Sequence, residues 1–146
     1  MEKIQICLLG DIMLGRYTFS DKLSNLNTFS DKLNNLLKNN FSIDSLKQIY
    51  GTTLPILKNC DLVCANLETA ITNEQIKIPK VFNYKIDPIF INSLIFNKNI
   101  FFNLANNHIL DYNQNGMFET MKILNENGFN FGGFGKNLAF AMKLKS

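Results

Sequence analysis

Short apolar runs alternate along this chain with segments whose apolar residues recur at helical spacing. Four runs rich in branched and aromatic side chains predict buried strands, at residues 4–9, 60–65, 99–104 and 129–131. Three segments between and after them predict helices, at residues 42–50, 52–59 and 115–127. Because strands that alternate with helices form βαβ units, this order predicts an α/β fold with a largely parallel sheet.

Capping residues and spacing refine these helices. Asp87 followed by Pro88 predicts a further helix start, since an N-cap acceptor precedes a proline in the first turn. Its inward side chains are expected to be Ile89, Phe90, Leu94 and Ile95. In the helix predicted at residues 115–127, the inward side chains are expected to be Phe118, Met121, Ile123 and Leu124, with Gly128 as the C-terminal cap. Residues 71–81 have no clear period and predict a loop that could include a strand edge.

An internal repeat interrupts the pattern after the first strand. Residues 28–37 repeat residues 18–27 at eight of ten positions, which indicates a tandem duplication. Both copies carry helical spacing, so residues 18–37 are interpreted as a duplicated helical insertion that should tolerate deletion of one copy. Two copies are too few for a solenoid, which needs three or more.

Composition fits one folded domain over residues 1–146, with 46% hydrophobic residues and 13 Phe. The net charge of +3 does not indicate nucleic-acid binding, because the lysines are scattered and Arg16 is the only arginine. No apolar run approaches the roughly 20 residues that span a bilayer, and the N-terminus leads directly into a strand. These features predict a cytoplasmic protein. Cys7 and Cys64 lie in apolar runs and are expected to be buried thiols.

Candidate chemistry is concentrated where predicted strands end. Asp11 follows the first strand between Gly10 and Gly15, Glu68 follows the second, and the histidine His108 follows the third. Open α/β sheets bind ligands at the carboxyl ends of their strands, and carboxylate, amide and imidazole groups suit metal or phosphate. Two alternatives remain open: an Asp that only caps a helix, and a histidine without a functional role.

Known phosphate-binding patterns do not fit the first of these strand ends. Gly10 and Gly15 have the separation of a phosphate loop, but Arg16 and Tyr17 replace the required Lys and Ser/Thr. The G-x-G-x-x-G dinucleotide pattern is absent as well. An unrelated nucleotide-binding domain is therefore disfavoured.

Three ordered motifs resemble a known family. They are Gly10-Asp11-Ile12-Met13-Leu14-Gly15-Arg16, Asp61-Leu62-Val63-x-x-Asn66-Leu67-Glu68, and Asn103-Leu104-Ala105-Asn106-Asn107-His108-x-x-Asp111-Tyr112. The chain resembles the bacterial capsule-synthesis proteins of the CapA, or poly-gamma-glutamate synthesis, family, which is similar to the calcineurin-like metallophosphoesterases. The resemblance covers nearly the whole chain and implies a metallophosphoesterase-like fold of βαβ layers.

The resemblance also implies roles for individual residues. Asp11, Glu68 and Asn107 would be metal ligands, and His108 would be the catalytic residue beside a reacting phosphoryl group. The residues expected to contact a small-molecule or polymer substrate are Arg16, Asn66, Asn106 and Asp111. The cofactor would be a divalent ion of manganese, magnesium, iron or zinc.

Two departures from the phosphoesterase pattern change these expectations, and the first of them is common among CapA-like proteins. Met13 stands where phosphoesterases of this fold carry a histidine, and no histidine follows His108. The chain is expected to stop before the second half of the sandwich, to hold one ion only, and to hydrolyse phosphoesters poorly. Apolar surface left uncovered would favour association with a partner chain or a second copy.

The expected function is capsule or poly-gamma-glutamate biosynthesis with a phosphoesterase-type metal site. The alternative is a non-catalytic binding module that retains the fold. A place at the cell envelope would follow if the family's usual role holds.

Overall fold

The computed structural model describes residues 3–14 and 42–133, and within them the chain forms two parallel sheets. The main sheet has the strand order β1-β2-β5-β6, and the second pairs β3 with β4. The strands are β1 (Ile6–Ile12), β2 (Leu62–Leu67), β3 (Ala70–Ile71), β4 (Lys85–Ile86), β5 (Ile100–Asn103) and β6 (Asn130–Gly132). The predicted α/β fold class with a largely parallel sheet is confirmed.

The helices lie between the strands, as the alternating pattern predicts. They are α1 (Ile43–Tyr50), α2 (Leu54–Asn59) and α3 (Asn113–Glu126), with 3-10 turns at Gly51–Thr53 and Pro88–Leu94. Ser42 begins α1 by accepting a hydrogen bond from the Asp44 amide at 3.2 Å. Gly128 follows α3 with φ of +75°, which confirms its predicted place in the C-terminal cap.

One face of the main sheet lies in the core. Val63, Ala65 and Leu67 of β2 are buried, whereas the intervening side chains of β2 are half-buried. Ile6 and Leu8 of β1 lie on that second face and are exposed. The predicted association through apolar surface remains a prediction.

A β-bulge shifts the register of β1 just before its end. Leu8 pairs with Cys64, but Asp11 pairs with Asn66, so two residues of β1 lie opposite one residue of β2. Paired residues on neighbouring strands point to the same side of the sheet. The bulge therefore places the Asp11 side chain on the Asn66 side, and Ile12 is buried opposite Leu67.

Helix α3 departs from its predicted inward face at one position, whereas Met121, Ile123 and Leu124 pack on the core as predicted. Phe118, predicted to point inward, is 37% exposed, and Met117 is buried instead. The helix packs closely on β3, because Thr120 Oγ1 accepts a hydrogen bond from the Ile71 amide at 2.9 Å. At Gly116, a Cβ atom would lie 2.7 Å from Tyr112 Cβ, so a glycine is needed at this turn.

The predictions for Ile89 and Ile95 were also wrong. Their exposed fractions are 64% and 46%, whereas Phe90 and Leu94 are buried as expected. The segment is a 3-10 helix with three residues per turn, so the inward face does not follow the 3.6-residue period.

Two further expectations are corrected or fall outside the structure. Cys7 and Cys64 are half-buried, because Cys7 lies on the edge strand β1 and Cys64 on the half-buried face of β2, and Cys60 is the buried thiol. Residues 71–81 do begin with a strand edge, which is β3. The duplicated insertion at residues 18–37 and Arg16 lie outside the described residues.

Candidate functional site

The carboxyl ends of three parallel strands bring the predicted site residues together. Asp11 of β1, Asn66 of β2 and Asn103 of β5 are in register across the sheet. Because residues in register share a side of the sheet, their side chains form a polar row. Glu68 follows directly after β2, and the His108 loop follows β5.

Two carboxylates share a single hydrogen-bond donor at the centre of this row. Asn66 Nδ2 lies 2.8 Å from Asp11 Oδ1 and 3.0 Å from Glu68 Oε2. The hydrogen bond from Asn66 lowers the pKa of Asp11, whereas burial, together with the neighbouring Asp11 carboxylate, raises the pKa of Glu68. Two like charges so close together favour either a shared proton or a cation.

The orientation of the Asn66 amide is determined by its other partners. Asn66 Oδ1 accepts hydrogen bonds from Asn103 Nδ2 at 3.0 Å and from Asn106 Nδ2 at 3.2 Å. The oxygen is therefore occupied by two donors, and the NH₂ group must face the carboxylates. Asn106 in turn accepts from the His108 amide at 3.0 Å and donates to the Leu67 carbonyl at 2.8 Å. Asn66 and Asn106, predicted to contact substrate, are thus engaged in a network that positions the pair.

His108 lies beside the pair, and its ring is held from both sides. Its Nδ1 is 2.7 Å from Asp111 Oδ2, and its Nε2 is 3.8 Å from Glu68 Oε1. The Tyr84 ring packs on the imidazole with ring centroids 4.4 Å apart. The shorter contact fits a proton on Nδ1 that is donated to Asp111, and Nε2 is directed toward Glu68 at a distance too long for a hydrogen bond.

Asp111 lies behind His108, with no exposed side-chain surface. Its Oδ1 accepts from Lys80 Nζ at 2.7 Å, and its Oδ2 accepts from the Tyr84 amide at 2.7 Å as well as from His108. The sequence prediction assigned Asp111 to substrate contact, whereas the structure places it where it can orient the imidazole. At metal sites, a histidine commonly donates the N–H of one ring nitrogen to a carboxylate while the other ring nitrogen faces the metal.

Asn107 faces solvent at the start of this loop. Its backbone carbonyl accepts a hydrogen bond from Lys80 Nζ at 2.8 Å, and Asn107 as a whole is exposed. Its predicted role as a metal ligand stays a prediction.

Three residues of this arrangement were missed as site residues from the sequence. Asn103 belongs to the polar cluster at the end of the third predicted strand, and that position is a signal that could have identified it. Lys80 and Tyr84 are 31 and 27 positions away from Asp111, in a segment without periodicity. No sequence pattern identifies these two.

Few side chains at this site could act as metal ligands. Within residues 3–14 and 42–133, no group of three or more His, Cys, Asp and Glu side chains is arranged to hold a metal ion. The arrangement there consists of one carboxylate pair and a histidine whose Nε2 is directed toward it. None of the helices in the described part of the chain is long and apolar enough to cross a membrane.

Comparison with known families gives a match along almost the whole sequence. The family model for bacterial capsule synthesis proteins, PGA_cap, matches residues 5–145. The chain belongs to this family. The PGA_cap family is part of the metallophosphoesterase-like superfamily, and the parallel four-stranded sheet is consistent with that fold. The protein is therefore related to capsule synthesis, and the predicted family is confirmed. A search of curated proteins found no match.

Proposed function

We propose that this PGA_cap protein binds one divalent metal ion at Asp11 and Glu68 and acts there on a phosphorylated substrate of capsule or poly-gamma-glutamate synthesis. The observation that supports the metal site best is the carboxylate pair, whose two side chains share the Asn66 amide as a hydrogen-bond donor. The family supports the link to capsule synthesis.

The chemistry of the donors favours a hard metal ion. Magnesium is usually held by one or two protein carboxylates and keeps several waters, and manganese accepts the same oxygen ligands. Zinc and iron sites need more nitrogen or sulfur ligands than His108 alone supplies here. Asn107 directly precedes His108 and is exposed, and its amide oxygen is the further ligand that we expect. Magnesium or manganese is therefore the better fit among the four candidate ions.

His108 is the group best placed for proton transfer. A bound divalent ion would polarise a phosphoryl oxygen and lower the pKa of water. Because Nδ1–H is donated to Asp111, Nε2 is the atom that can accept a proton from an attacking water and return it to a leaving oxygen. Asp111 holds the ring during both transfers, and Asn66 keeps the two carboxylates oriented.

Calorimetric titration with Mn²⁺ tests the metal site directly. We expect micromolar binding to the wild type, and at least a tenfold loss of affinity in Asp11→Asn, which keeps the side-chain shape but removes the charge. Asp44→Asn is the matched control, since Asp44 is an exposed carboxylate that pairs with Lys47 on α1. Equal affinity in wild type and Asp11→Asn would contradict the site.

A second candidate function is a binding module without turnover. It is favoured by the small donor set, because a two-metal hydrolase needs ligands for a second ion and the described residues form no such group. Hydrolysis of an aryl phosphate with excess Mn²⁺, abolished by His108→Ala, would support the hydrolase. Binding of Mn²⁺ with no hydrolysis would support the module.

A further inference from the structure

Lys80 contacts the His108 loop at two acceptors. Its ammonium nitrogen lies 2.7 Å from Asp111 Oδ1 and 2.8 Å from the Asn107 carbonyl oxygen. It also lies 3.4 Å from His108 Nδ1. One side chain thus bridges Asn107, directly before the histidine, and Asp111, three residues after it.

The segment that carries Lys80 encloses Asp111. The Ile78 amide and Asn83 Nδ2 both donate to the Asp111 carbonyl, at 3.0 and 3.2 Å. The Tyr84 amide donates to its carboxylate, and the Tyr84 ring covers the imidazole. Residues 78–84 therefore form a strap behind His108. Among the described residues, Lys80 is the strap's cation that pairs with the buried Asp111.

The distances show how Lys80 acts on the histidine. Nδ1 is 2.7 Å from the Asp111 carboxylate but 3.4 Å from Lys80, so the hydrogen bond of Nδ1 goes to Asp111. A nitrogen that donates to Asp111 cannot also accept from the ammonium group. Lys80 therefore influences His108 through Asp111 and the Asn107 carbonyl rather than by direct bonding.

We propose that Lys80 is a positioning residue that keeps the His108 ring in one orientation and one tautomer, with Nδ1–H on Asp111 and the Nε2 lone pair directed at Glu68. The proposal rests on the proposed function, because it assigns the purpose of this orientation to the metal site. The alternative is an ordinary structural ion pair, in which loss of Lys80 lowers stability but leaves the tautomer unchanged.

Nitrogen NMR can test the tautomer at one site, since His108 is the only histidine in the chain. The full chain, labelled with ¹⁵N-histidine and free of metal, would be measured at pH 8. We expect the wild type to show a protonated Nδ1 and an unprotonated Nε2. In Lys80→Met, we expect the two ¹⁵N shifts to converge, because the ring then exchanges between tautomers. Lys80→Arg should restore the wild-type pattern, since it keeps a cationic donor.

The matched control is Lys47→Met. Lys47 pairs with Asp44 at 2.8 Å, nearly the same distance, but both partners are exposed on α1. It should leave the His108 shifts unchanged. Separate Mn²⁺ titration should show about a tenfold weaker affinity in Lys80→Met, as for other residues that support metal ligands.

Two results would overturn the positioning role. One is a wild-type spectrum with Nε2 protonated, which decides the question even if Lys80→Met does not fold. The other is an unchanged tautomer in folded Lys80→Met or Lys80→Gln. Because the NMR measurement requires no metal, a wild type that fails to bind Mn²⁺ would overturn the metal proposal and leave the NMR result for Lys80 standing.

Discussion

Replacement of Asp111 by asparagine should destabilise the protein, although the two side chains have nearly the same shape. The Asp111 carboxylate is fully buried and accepts hydrogen bonds from Lys80, His108 and the Tyr84 amide. An asparagine offers one acceptor oxygen and one NH₂ donor. If the asparagine oxygen takes the place of Oδ2, its NH₂ group faces the Lys80 ammonium. Both groups are hydrogen-bond donors, so neither satisfies the other.

The magnitude follows from the burial of the two partners. Removal of one member of a buried ion pair costs about 3–5 kcal/mol. Lys80 retains 28% of its side-chain exposure, so solvent can compensate part of the lost charge. We therefore expect a decrease in the free energy of unfolding near the lower end of that range, about 3 kcal/mol. For a chain of this length, that corresponds to a thermal midpoint roughly 6–12 °C lower.

Calorimetric and urea unfolding of the metal-free protein would measure this loss. Asp87→Asn is the matched control, because it makes the same chemical change where Asp87 caps the Pro88–Leu94 segment and asparagine caps equally well. Its midpoint should stay close to that of the wild type. An Asp111→Asn variant as stable as Asp87→Asn would refute the view that the Lys80–Asp111 pair holds the strap in place.

Three further changes test the site from other directions. Gly133→Ala should lower the free energy of unfolding by roughly 3 kcal/mol, and Gly128→Ala by roughly 1–2 kcal/mol. Both glycines have positive φ, but only at Gly133 would a Cβ atom meet Asn103 Oδ1, at 2.7 Å. Equal thermal midpoints for the two variants would contradict this. Glu68→Gln should raise the thermal midpoint of the metal-free protein at pH 7. Because the Glu68 pKa is raised in the folded protein, the free energy of unfolding falls as the pH rises above the ordinary glutamate pKa of about 4.3. A neutral glutamine avoids that loss. A lower midpoint in Glu68→Gln would argue against repulsion between the Asp11 and Glu68 carboxylates. Mn²⁺ at 100 times its dissociation constant should stabilise the wild type by about 2.7 kcal/mol in thermal unfolding, and Asp11→Asn by much less.

The sequence predicts the strands and their polar ends well, because both depend on local pattern. Apolar runs mark β2, β5 and β6, and the order of strands and helices leads to a parallel sheet whose carboxyl ends meet. That topology brings the strand ends that carry Asp11, Glu68 and His108 to one edge of the sheet, and the bulge in β1 decides the side on which Asp11 lies. Their roles as ligands and catalyst remain predictions.

What the sequence does not predict depends on register and on distant contacts. Simple alternation along β1 would place Ile12 on the side of Ile6 and Leu8, yet Ile12 is buried and those two residues are exposed. The bulge reverses the alternation, and although Gly10 lies within it, a single glycine does not by itself predict a register shift. Lys80 reaches Asp111 only through the folding of an aperiodic strap, so its position depends on tertiary contacts.

The bulge in β1 also affects how the length of this strand can vary among relatives. Gly10 lies within the extra stretch, and nothing would lie within 4 Å of a Cβ atom there. Deletion of Gly10 would restore a regular strand in which Leu9 faces Ala65 and Asp11 still faces Asn66. A one-residue gap before the aspartate in an alignment is therefore compatible with an intact carboxylate pair. An insertion between Asn66 and Glu68 should not be tolerated, because it would move the Glu68 carboxylate away from the Asn66 amide that donates to it.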